Sequence, residues 1–170
     1  MKKVIALFLA LILSVSAYAE TIVQPVYVPT IIDVMKDIGI LVLDDEYSLN
    51  KQELENSNYS FYEFNPTDGI NILENFKNSK PFNYVIRFNQ SVPYAMKYKD
   101  KLMVAFIEIA AGYETKKALS IVDYLLNTLK PDDLEVYEGV SFVSIEGLTF
   151  NLVDTLNILQ FSISYTAQEK

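Results

Sequence analysis

The chain has 170 residues, no histidine and no cysteine, and 22 acidic against 14 basic side chains, a formal charge of −8. Without imidazole or thiolate, a Ser-His-Asp triad, a cysteine nucleophile and every cysteine-based zinc or iron–sulfur site are excluded. The acidic balance also argues against nucleic acid, whose phosphates need clustered cations, and against attraction to an anionic membrane surface.

Residues 1–19 read as a cleaved signal peptide. Lys2 and Lys3 are followed by the apolar run from Val4 to Leu13, and Ala17-Tyr18-Ala19 supplies small residues where a signal peptidase cuts. The apolar run is shorter than the about 20 residues that a membrane span needs. Export to the periplasm or exterior is therefore expected, with a mature chain starting at Glu20 and no integral membrane span. In that compartment disulfides are permitted but absent, so the core alone must hold the domain.

Residues 20–30 are expected to form an extended arm, because Pro25 and Pro29 cannot sit inside a helix and bias their predecessors toward extended geometry. Ile22, Val26 and Val28 share one parity in it and are candidates for partner binding by strand addition. Residues 31–166 then make one domain. Thr30 caps a short helix, Ile31 to Ile38, closed by Gly39, and Ile40 to Leu43 reads as a short buried strand. Ser48 to Asn58 is polar, a ragged turn or loop. Tyr59 to Phe64 is dense in aromatics, which favours a strand. Tyr59, Phe61 and Tyr62 in it are further candidates for a partner surface, where aromatics are enriched.

Asn65-Pro66-Thr67-Asp68-Gly69 has the chemistry of a turn. Ile70, Leu73 and Phe76 then space out as a short helix ending before Pro81. Phe82, Tyr84, Ile86 and Phe88 alternate with Asn83, Val85, Arg87 and Asn89, the pattern of a half-buried strand. Val92 to Tyr98 alternates again, and Leu102 to Ile109 is almost continuously apolar, as in a central strand buried on both faces. Gly112 permits a turn. Ala118, Val122, Leu125 and Leu129 then recur at helical steps until Pro131 forbids continuation. Val140 to Ile145 and Leu156 to Tyr165 close the chain as strands.

The expected fold is α+β, a mostly antiparallel sheet of about five strands with one long amphipathic helix, residues 116–129, packed on it and two short helices. Over residues 82–166 the strand–helix–strand–strand plan is similar in element order to tail-terminator subunits of phages, and that resemblance implies a structural subunit.

Motifs carry little chemistry. Ser48-Leu49-Asn50-Lys51 matches the S-x-x-K of serine acyl-enzymes, but the partner triplets of that class are missing. Asp44-Asp45-Glu46 and Asp132-Asp133 are paired acids in turns, without the spacing of a calcium loop. A glycosidase would need two carboxylates across a cleft, and the lack of Trp weakens sugar stacking. Glu108 is either a buried acid or a solvent-facing strand end. Arg87, the only arginine, suits a cross-strand pair. No catalytic, cofactor-binding or metal-binding residue is assigned. The expectation is an exported, non-enzymatic binding or assembly component that engages a protein partner or forms a homo-oligomer. The alternative is a small exported hydrolase that uses carboxylates on glycans.

Overall fold

The structure is a computed structural model that describes residues 27–43, 47–54, 57–133 and 136–165. The expected signal peptide, most of the arm with Ile22 and Val26, and Asp44-Asp45-Glu46 lie outside the described residues. The elements run α1 (Val28–Asp37), β1 (Tyr47–Leu54), β2 (Ser57–Thr67), β3 (Ile70–Lys77), β4 (Lys80–Asn89), α2 (Pro93–Ala111), α3 (Thr115–Asn127), β5 (Gly139–Ile145), β6 (Leu148–Asp154) and β7 (Ile158–Tyr165). The strands form one seven-stranded sheet in the order β1-β2-β3-β4-β7-β6-β5. Every neighbouring pair is antiparallel.

The fold is α+β, as the sequence implies, with three corrections of substance. The first concerns residues 93–111, expected as two strands joined by a hairpin and found as the longest helix. Pro93 sits in its first turn, where a missing N–H costs nothing, and extended Val92 precedes it. Leu102 to Ile107 are all buried, because this helix is covered on nearly every side by the sheet, α1 and α3. A helix wrapped in apolar neighbours has no polar stripe, so its run of side chains resembles that of a buried strand. Glu108 is accordingly not on a strand; it is half-buried in α2 and accepts a hydrogen bond from Thr115 Oγ1.

The second correction is β3, expected as a helix. Ile70, Ile72, Glu74 and Phe76 are buried at every second position, and the two-residue turn Asn78-Ser79, both at positive φ, returns the chain as β4. Polar Ser48 to Asn58, expected as a ragged turn, belongs mostly to β1 and the start of β2, and residues 148–154 add β6. The sheet thus has seven strands rather than five.

The third lies at the start. Val28 belongs to the first turn of α1 and is buried, not part of an extended arm, and the helix spans 28–37 rather than 31–38. Residues 40–43 form no strand; Ile40 is buried but Leu41 and Leu43 are exposed. The helix expected at 116–129 is α3, two residues shorter at its end. Over residues 82–166 the order is strand–helix–helix–strand–strand–strand, so the plan behind the likeness to phage tail terminators is not the one adopted.

One face of the sheet carries the core. A single row of paired residues crosses it from Phe64 through Ile72, Ile86, Phe161 and Leu152 to Ser141, and all but Ser141 join one apolar cluster with the helices. Each buried aliphatic or aromatic side chain in that cluster contributes about 1.5–3 kcal/mol. The opposite face is covered by no described element.

Candidate functional site

The uncovered face is mixed: Leu73, Val85 and Phe142 share it with a row of polar side chains. Asn75, Asn83, Ser164, Thr149 and Ser144 stand opposite one another on five strands. They are joined from Asn83 Nδ2 to Ser164 Oγ (2.7 Å) and between Ser144 Oγ and Thr149 Oγ1 (3.0 Å). A two-layer α/β packing buries one face of its sheet, and antiparallel sheets commonly leave the other to solvent.

At one end of this face lies a recess of about 580 Å³, lined by Glu63, Asn65, Asn71, Arg87 and Asn89, the Asp68-Gly69 turn and a few apolar side chains. Asn71 and Arg87 are directly paired across β3 and β4, and Arg87 is paired in turn with Gln160 of β7. Arg87 Nε donates to Gln160 Oε1 at 2.9 Å. This restrains the guanidinium of an otherwise exposed side chain. Among the described residues no carboxylate lies within ion-pair distance of Arg87. The cross-strand pair expected for the only arginine exists, but its partner is an amide, and no described residue neutralises its charge.

Asn71 Nδ2 donates to Glu63 Oε1 at 3.0 Å and to Asn65 Oδ1 at 2.9 Å. Its own Oδ1 is buried and finds no donor among the described residues, an acceptor whose desolvation is uncompensated. The recess therefore offers guanidinium donors for a carboxylate or carbonyl, and beside them two carboxylates, Glu63 and Asp68, for a donor.

The aromatic candidates divide by parity. Tyr59 and Phe61 are half-buried and on the uncovered side, whereas Tyr62 is in the core, edge-on to Phe76 at 5.9 Å. Tyr62 and Val28 are both buried in the core rather than presented at the surface. The sequence singles out Arg87 but not Asn71, since a helical period over 70–76 hides its place opposite Arg87, nor Glu63, which only the β2–β3 pairing brings to the recess. Ser48 to Lys51 lies in β1. Asp132 is half-buried and Asp133 exposed in the loop after α3. Among the described residues no group of three or more acidic side chains could hold a metal ion. No described helix is long and apolar enough to cross a membrane.

The chain matches no family model, and no curated protein or solved structure proved significantly similar to it.

Proposed function

We propose that this chain is an exported, non-enzymatic domain that engages a protein partner across the uncovered sheet face, with Arg87 receiving a partner carboxylate. The observation that carries the reading is the exposed guanidinium, held by Gln160 and without an acidic partner among the described residues. An arginine that stabilised only its own fold would be expected to pair with Glu63, which lines the same recess. Phe61, on the same face, supplies apolar contact of the kind interfaces favour. Export rests on the order of basic, apolar and small residues in 1–19.

The test is capture of partners from the native envelope by the purified protein, followed by affinity measurement with the polypeptide so identified. Arg87→Gln should weaken binding by about tenfold or more, as loss of a charge-assisted anchor does, and Phe61→Asp should weaken it independently. Equal affinity in all three proteins would overturn the reading. N-terminal sequencing of the exported protein should begin at Glu20; Met1 on the mature protein would remove the basis for export.

A second reading has one observation in its favour: Glu63 and Asp68 line one recess, so a carboxylate-dependent hydrolase has a place for its acids. Turnover of peptidoglycan or other glycan fragments that is abolished by Glu63→Gln would establish it in place of the first.

A further inference from the structure

Around Arg87 the sheet holds both signs of charge and keeps them apart. Glu63 Oε1 accepts from Asn71 Nδ2 at 3.0 Å, so its carboxylate leans from β2 over β3. Arg87 Nε donates to Gln160 Oε1 at 2.9 Å, so its guanidinium leans from β4 over β7. Each is drawn one strand in the same direction. The order β2-β3-β4-β7 therefore leaves two strand spacings between the charges, about 10 Å. Among the described residues neither Glu63 nor Asp68 makes an ion pair.

Both charges border one recess of about 580 Å³, within the range of small-ligand pockets. Asp68, exposed in the turn between β2 and β3, puts a second carboxylate at the acidic end, and Leu43 and Ile158 add apolar lining. One guanidinium set against two carboxylates is complementary to a dipolar ligand, its anionic group toward β7 and its cationic group toward the β2–β3 turn. A plain carboxylate would answer Arg87 but meet two unpaired acids beside it.

We propose that the recess takes a basic residue with a free α-carboxylate, its carboxylate on Arg87 and its side-chain cation on Glu63 and Asp68. This rests on the reading that Arg87 receives a carboxylate, and it adds what the other end of the ligand must be. An extended lysine holds its carboxylate and ammonium about 7 Å apart. With a hydrogen bond of about 3 Å reaching obliquely at each end, it bridges the two sides of the recess. Its apolar stem finds Leu43 and Ile158 in the lining. Two sources carry this chemistry, the last residue of a polypeptide and a free basic amino acid, and the experiment separates them.

Calorimetric titration of the purified protein with acetyl-alanyl-alanyl-lysine tests it. The peptide should bind, and more weakly as salt is added. Amidating its carboxyl end, or replacing its lysine by norleucine, should each weaken binding about tenfold, as loss of a charge-assisted bond does. Glu63→Gln keeps an acceptor for Asn71 and should bind the lysine and norleucine peptides alike. Arg87→Gln should bind the free and amidated peptides alike. Circular dichroism matching the parent shows that the variants fold; should Glu63→Gln not fold, Asp68→Asn, at an exposed turn, decides. Free lysine that binds as tightly as the peptide assigns the site to a solute, and weaker binding assigns it to a polypeptide end; either outcome carries the proposal. A norleucine peptide that binds as tightly as the lysine peptide, while amidation still weakens binding, overturns this inference and leaves Arg87 as a carboxylate anchor. Equal binding of the amidated peptide overturns both. Binding of neither the peptide nor free lysine at millimolar concentration overturns this inference alone.

Discussion

The backbone N–H of Tyr27 donates to the carboxylate of Glu74, 47 residues further along the chain, at 3.4 Å. Glu74 is 1% exposed and stands on the core face between Tyr62 and Tyr84. A carboxylate there needs hydrogen bonds or a positive dipole end, and Tyr27, at the N-cap of α1, brings both. Glu74→Ala should lower unfolding free energy by about 2–3 kcal/mol, and amides of α1 should exchange faster than those of α3. Glu74→Gln, which keeps an acceptor, should lose less than half as much. Denaturant midpoints equal to the parent's in both variants would show that the contact does not anchor α1.

Leu125 is fully buried on α3 and Asn127 is exposed on it. Leu125→Ala should cost about 2–5 kcal/mol through lost transfer energy and an incompletely collapsed cavity. Asn127→Ala should stay within about 0.5 kcal/mol of the parent. Chemical denaturation of the two variants side by side checks the orientation of the helix.

Tyr84 is buried against Tyr27 at 4.8 Å and Phe106 at 6.2 Å, and its hydroxyl has no hydrogen-bond partner among the described residues. Burial first, then Tyr165, Tyr27 and Glu74, pushes its pKa far above the ordinary tyrosine value; Tyr27 is raised as well, chiefly by burial. A raised folded-state pKa gives stability that is fully present below the unfolded value of about 10 and is lost as pH rises past it, because only the unfolded chain releases the proton. Stability should fall steadily above that pH. Tyr84→Phe should be neutral or stabilising by about 1 kcal/mol at neutral pH, since it removes an unpaired buried hydroxyl, and should flatten the alkaline fall. Denaturation series at neutral and alkaline pH measure both effects.

Gly69 and Gly147 both sit at positive φ in hairpin turns, +78° and +80°, but a Cβ on Gly69 would lie 2.7 Å from Val92 Cβ while one on Gly147 meets nothing. Each Gly→Ala change should cost about 1–2 kcal/mol for the left-handed backbone. Gly69→Ala should cost more, because Val92 must move, and it should also disturb the recess that its turn borders. Equal losses in the two variants would mean that Val92 yields freely.

Some of this protein could be read from local sequence because one physical constraint decided each feature. Glycine and proline placed the breaks at Gly112 and Pro131. Strict alternation in Phe82–Phe88 gave β4 and put Arg87 on the side away from Tyr84 and Ile86. The three- and four-residue steps of Ala118, Val122 and Leu125 gave α3 and its buried face. Elsewhere the same residues were compatible with two periods. Ile70, Leu73 and Phe76 fit a helix, yet Ile70, Ile72, Glu74 and Phe76 fit a strand. Pairing with β2 and β4 chose the strand, since only there do the main-chain groups find partners on both sides. Leu102 to Ile107 fit a central strand, and became helical because sheet, α1 and α3 bury that segment nearly all round. The recess at Arg87 depends on those choices: Asn71 faces Arg87 only if residues 70–77 are extended, and Glu63 joins them only through the neighbouring strand. Local propensity determined where the chain turns and which stretches are apolar; long-range pairing and burial, which no short window contains, decided which period each stretch adopts and which side chains meet.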